Sequence, residues 1–80
     1  MTTKERKEIL KKETVKKYER WKYKVATAYH TGEISADDHR IRRKHLIREE
    51  NLRLAEIDHM TAKEAKKSYE ALMKKKNPGE

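Results

Sequence analysis

Two short segments of this 80-residue sequence share the pattern hydrophobic–Ser/Thr–Ala–x–acid, and this repeat constrains the fold more than any other feature. The copies are Ile34-Ser35-Ala36-Asp37-Asp38 and Met60-Thr61-Ala62-Lys63-Glu64. In each copy the hydroxyl can accept a hydrogen bond from the first helical turn, and the acid three residues on can accept one from the backbone of the hydroxyl residue. Each copy predicts a helix start, so the two starts divide the chain into three helices.

The first helix is predicted to run from about residue 4 to residue 30. Residues at three-to-four spacing mark its apolar face: Leu10, Thr14, Tyr18, Trp21, Val25 and Ala28. Such residues lie on one side of an α-helix, so we expect this face to be buried, with Trp21 in or near the core. Gly32 follows at the position where a left-handed residue ends a helix.

The second helix, predicted over residues 36–58, has apolar side chains on several sides. They form three clusters around the axis: Ile41/Leu52/Ala55, Leu46/Ile57 and Ile47/Leu54. A helix with this distribution usually lies between two others, so we place the second helix at the centre of the fold. The third helix, predicted over residues 62–76, has a single narrow apolar stripe and ends at Asn77-Pro78-Gly79.

The predicted fold is therefore all-α: one small domain of residues 1–76 with three helices, two tight capped turns and a C-terminal tail at 77–80. Short connections make neighbouring helices fold back on one another. At about 1.5 Å per residue the first helix is roughly 40 Å long and the third roughly 22 Å. The third helix cannot cover all of the first, so we expect residues 1–8 to project or fray.

The two cap segments also align over a longer stretch. Ile34, Arg40 and Leu46-Ile47 correspond to Met60, Lys66 and Leu72-Met73. Residues 32–47 resemble SHOCT-type (short C-terminal) helical hairpin domains, whose pattern is roughly Gly-x-Ile-Thr/Ser-x-x-Glu followed by a basic, Leu-containing helix. Residues 60–73 resemble that pattern less because they lack the glycine. The resemblance implies an interaction hairpin rather than a catalytic domain.

Several classes of function have no support in the sequence. Cysteine is absent and no apolar run approaches the ~20 residues of a membrane span, which favours a cytoplasmic protein. Ser35 is a helix cap and Ser68 lies mid-helix without a paired histidine, so we expect no enzyme and no cofactor. No two of the four histidines stand at i,i+4 spacing and no zinc pattern is present, so no metal site is predicted: His30, His39, His45 and His59.

The net charge of +8 favours an anionic partner. On the outer face of the first helix, basic side chains alternate with an isoleucine and a tyrosine at three-to-four spacing. We name this set the outer line: Ile9, Lys12, Lys16, Arg20, Tyr23 and Thr27. Exposed Ile9 and Tyr23 would do little for solubility, so the outer line is the predicted partner-binding surface, although isolated exposed apolar residues are common.

A second set of cations suits nucleic acid. Residues 16–24 interleave basic and aromatic residues, which could contact phosphates and stack on bases, and residues 39–45 hold four cations within five positions. The predicted nucleic-acid-binding set is Lys16, Arg20, Lys24, Arg40, Arg42, Arg43 and Lys44. The alternative is that nearby acids neutralise the second cluster: Asp37, Asp38, Glu49 and Glu50.

Two principal functions follow. The first is a non-enzymatic regulatory or inhibitory module, of the kind found among phage and mobile-element accessory proteins, that docks on the acidic surface of a partner protein. The alternative is DNA or RNA binding, mainly through phosphate contacts. An amphipathic first helix on a membrane surface ranks behind both, because packing already uses its apolar face. The sequence leaves self-association open.

Overall fold

Three α-helices account for nearly all of the chain that the computed structural model describes, residues 1–76. They are α1 (Thr3–His30), α2 (Ala36–Asp58) and α3 (Ala62–Lys76). Residues 1–76 contain no strand. The all-α three-helix arrangement is confirmed, and only the start of α1 differs from prediction, by one residue. The predicted stop at Asn77-Pro78-Gly79 and the tail at 77–80 lie outside the described residues.

The predicted caps begin α2 and α3. At Ser35 the side-chain oxygen accepts a hydrogen bond from the Asp38 N–H at 3.1 Å. At Thr61 both bonds of the capping box form, because the hydroxyl accepts from the Glu64 N–H at 3.2 Å and the carboxylate accepts from the Thr61 N–H at 3.1 Å. Gly32 in the first turn has φ +81°, the left-handed conformation that glycine adopts without strain.

The prediction that α2 is central was wrong: α1 packs against both α2 and α3, which barely contact each other. The physical reason is that only one side of α2 packs against another helix. Ile57 is 1% exposed, whereas Ile41 and Leu52, on another side of α2, are each 61% exposed. The Cα atoms span 45 × 31 × 13 Å, so the three helices form a flat layer with α1 in the middle.

The N-terminal end of α1, where the sequence predicts that residues 1–8 project or fray, is helical from Thr3 and contacts the end of α2. Thr2 and Glu5 form a capping box that the sequence analysis missed, although its Thr-x-x-Glu spacing was visible. One turn later, Lys7 Nζ donates to the backbone carbonyl of Asp58 at 2.9 Å, and Lys11 Nζ donates to its carboxylate at 2.8 Å. The end of α2 is thereby fixed against the start of α1.

The core is small and draws one buried apolar residue from each helix: Leu10, Ile57 and Ala65. Trp21, predicted in or near the core, is instead only half-buried. Its ring meets Tyr18 edge-on at 4.8 Å, and the Lys17 ammonium lies 5.1 Å from its centre. Buried Leu10 and Ala65 place α3 beside the N-terminal half of α1. Trp21 lies farther along α1, which explains its partial exposure.

Candidate partner-binding surfaces

The structure leaves most of the outer line open to solvent. Lys12, Lys16 and Arg20 are exposed, and Tyr23 is 74% exposed, the most exposed large hydrophobic side chain in residues 1–76. Ile9, at the start of the line, is half-buried and thus a weaker candidate for contact with a partner. Thr27 is exposed, but its hydroxyl donates to a backbone carbonyl one turn earlier.

Three acidic side chains join the helices to one another. Three ion pairs connect α1 to the other helices: Lys11–Asp58 at 2.8 Å, Lys22–Glu50 at 2.9 Å and Lys76–Glu13 at 3.0 Å. The Glu50 side chain is the most enclosed of these, with 11% exposure. Of these three acids only Glu13 also interacts with the charges of the outer line, at Lys16 and Arg20.

The same contacts change proton affinities. The hydrogen bond from Lys11 lowers the pKa of Asp58, and the same bond raises the pKa of Lys11. The hydrogen bond from Lys76 lowers the pKa of Glu13. At the caps, backbone N–H groups of the threonines donate to Glu5 and Glu64 and lower both pKa values. These carboxylates stay charged to lower pH in the folded protein than in the unfolded chain.

We expect the free energy of unfolding to fall in acid, because each depressed pKa stabilises the fold above the group's unfolded value and loses that effect as pH falls through the folded value. The loss should begin near the ordinary pKa of these groups, 3.8 for Asp58 and 4.5 for Glu13, and continue below it. Urea unfolding followed by circular dichroism from neutral pH into this range measures the slope.

Asp58→Asn should flatten that acid slope and lower stability at neutral pH. Glu33→Gln is the matched control, because within residues 1–76 the Glu33 side chain makes no ion pair. An Asp58→Asn profile that runs parallel to wild type would show that the contact with Lys11 contributes nothing to acid stability.

The predicted nucleic-acid set is divided between two helices. Lys16, Arg20 and Lys24 are exposed on α1, whereas the others lie near the start of α2: Arg40, Arg42, Arg43 and Lys44. Arg40 donates to Asp37 at 3.2 Å. Two of the acids that the alternative invokes bind elsewhere, because Glu49 contacts His45 at 2.8 Å and Glu50 contacts Lys22. Within the described chain, Arg42, Arg43 and Lys44 have no acidic partner.

The sequence analysis missed a groove between α1 and α3, bordered on the α2 side by Arg53. Its volume is about 740 Å³. Its floor is formed by the apolar stripe of α1 and by three residues of α3: Leu10, Thr14, Tyr18, Ser68, Ala71 and Leu72. Five cations and one acid surround the floor: Lys17, Arg20, Arg53, Lys75, Lys76 and Glu13. The periodic stripe is visible in the sequence, where it predicts a buried face and not an open groove.

The histidines and acids of the described residues form no metal-binding cluster. His39 stacks on Tyr29 at 4.8 Å, yet no group of three His, Cys, Asp or Glu side chains in residues 1–76 could hold a metal ion. None of the helices found there combines the length and apolar character needed to cross a membrane.

The resemblance of residues 32–47 to SHOCT-type domains stays a prediction. No protein-family model, curated protein or solved structure matches the chain.

Proposed function

We propose that this protein is a non-enzymatic interaction module that binds an acidic surface of a partner protein through the outer line and thereby regulates or inhibits that partner. The observation that carries the proposal is the 74% exposure of Tyr23 beside cations that form no ion pair in residues 1–76. Tyrosine and arginine are enriched among the residues that dominate protein–protein binding energy. We further propose that the protein acts in the cytoplasm as a small accessory protein.

The charge arrangement supports a protein partner. Lys12, Lys16 and Arg20 follow one another at four-residue spacing on α1, where like charges repel by a few tenths of a kcal/mol per pair. An acidic surface would relieve that repulsion and would also speed association. The ring of Tyr23 lies beside these charges and can fill a shallow pocket of the partner. Aromatic residues and arginine are enriched in protein interfaces, and the interface rim is polar.

The proposal predicts that Lys16→Glu combined with Tyr23→Ala abolishes capture of the partner from a lysate of the native host. The matched control is Lys63→Glu, an exposed charge reversal on α3. Both variants should keep the wild-type helicity by circular dichroism. A partner that binds the outer-line variant as well as it binds wild type would refute this assignment, and so would a partner lost equally from both variants.

A second candidate function has its own observation, the unneutralised cluster of Arg42, Arg43 and Lys44. These side chains could contact the phosphates of DNA or RNA without sequence specificity. Under that hypothesis, random duplex DNA should bind at micromolar concentration, and the affinity should fall steeply as salt rises. Arg42→Glu with Arg43→Glu should remove that binding. Absence of binding at about 100 mM salt would eliminate this candidate and leave the protein-partner proposal standing.

A further inference from the structure

The two outer helices leave the apolar side of α1 incompletely covered. Because α2 and α3 barely contact each other, no helix closes over the stripe that carries Thr14 and Tyr18. Both residues are half-buried, and Leu10 at one end of the stripe is 7% exposed. In a closed bundle another helix would occupy this position. An added helix in the groove would therefore bury apolar surface on α1 that α2 and α3 leave uncovered.

We propose that this groove binds an amphipathic helix of a partner protein, with apolar residues on one side and acidic residues flanking them. The bound segment would act as a fourth helix lying over α1 between α3 and Arg53. This mode, in which an apolar helix face lies in a hydrophobic groove, is common in protein recognition. Only Arg20 belongs to both the groove and the outer line, so the groove proposal does not depend on Lys12, Lys16 or Tyr23, which carry the proposed function.

The floor of the groove favours an apolar ligand over a polar one. The Thr14 hydroxyl already donates to the backbone carbonyl of Leu10 at 2.9 Å, so it needs no partner from outside. Leu72 and Tyr18 present carbon surface. From Leu10 to Tyr18 the stripe extends about 12 Å at 1.5 Å per residue, enough to contact two to three turns of a bound helix.

The rim selects negative charge. Its one acid, Glu13, is paired with Lys76 at 3.0 Å and also interacts with the charge of Arg20, and a single carboxylate leaves the rim of five cations positive. Arg53 is partly neutralised by Glu56 at 3.0 Å. Lys75 and Arg20 form no ion pair within the described residues, and the Lys17 ammonium faces the Trp21 ring. Acidic residues along both edges of a bound helix would form ion pairs with these cations. The groove would therefore bind an acidic helix in preference to a basic or neutral one.

The probe is a synthetic 15-residue peptide with leucines at i, i+3, i+4 and i+7 spacing and glutamates elsewhere. We expect binding with a Kd on the order of 10 μM, weakening as salt rises. Trp21 is the only tryptophan and touches Tyr18 in the floor, so its fluorescence should change on binding. A scrambled peptide of the same composition and a peptide with lysine in place of glutamate should both bind at least tenfold more weakly.

Two substitutions locate the site. Ala71→Trp fills the groove from an exposed position on α3, and Lys75→Glu reverses one rim charge. Each should weaken peptide binding about tenfold, whereas Lys12→Glu on the outer line should change it less than twofold. Equal binding of the lysine peptide, or unchanged binding to Ala71→Trp, would overturn the proposal. Displacement of the peptide by an oligonucleotide of equal charge would also overturn it and identify the groove as a nucleic-acid site.

Discussion

Ile57→Ala is expected to lower the free energy of unfolding by about 3 kcal/mol, within the 2–5 kcal/mol typical of removing a buried aliphatic side chain. Ile57 is 1% exposed and is the largest fully buried side chain in residues 1–76. A chain of this size has a total stability of roughly 4–12 kcal/mol, so the variant should lose a large fraction of it. Urea unfolding monitored by circular dichroism measures the loss.

Ile41→Ala is the matched control, because it removes the same atoms from the same helix at a position that is 61% exposed. It should change stability by less than about 0.5 kcal/mol, since alanine is also the better helix former. The comparison tests the arrangement of the helices directly. If α2 were central, its different faces would all be covered and both substitutions would be costly. Equal losses from the two variants would therefore contradict the placement of α1 in the middle.

The helix boundaries could be predicted because they depend on local hydrogen bonds. The bond between Thr61 and Glu64 spans three residues, and the turn at Gly32 needs only one left-handed residue. Neither requires knowledge of distant contacts. The capping box at Thr2 and Glu5 follows the same rule and could have been found from its spacing. The all-α architecture followed directly from these local signals.

The central helix could not be predicted because packing depends on pairs of residues far apart in the chain. Apolar residues such as Ile41 and Ile57 look equivalent in sequence, yet only the one near the second corner meets another helix. One such contact between α1 and α2 joins Lys11 to Asp58 across 47 positions. No periodicity within α2 contains that information, so counting its apolar sides led to the wrong centre.

The outer line could be predicted from the sequence and the groove could not, because only the groove depends on how the helices pack. The exposure of Tyr23 follows from its position on a helix face opposite the apolar stripe, which periodicity specifies. The groove depends on how far α2 and α3 diverge above that stripe, which periodicity does not specify. Periodicity accordingly predicts that Tyr18 and Trp21 lie in or near a core, whereas the structure leaves both of them half-buried.

Ala65→Leu is expected to destabilise the protein by about 1–3 kcal/mol, because Ala65 is 0% exposed and the larger side chain has no space. The control, Ala71→Leu, adds the same atoms to α3 at an exposed position and should change stability by less than about 0.5 kcal/mol. Thermal unfolding by circular dichroism compares the two variants.

The loss of stability from Ala65→Leu should be largest in α3, since α3 packs on α1 and hardly contacts α2. Limited trypsin digestion should cut Ala65→Leu first at the lysines of α3, while α1 and α2 remain resistant for longer. Because α3 forms one wall of the groove, this variant should also lose the acidic peptide while keeping any partner of the outer line. Uniform cleavage of all three helices would show instead that α3 is essential for the fold of α1 and α2.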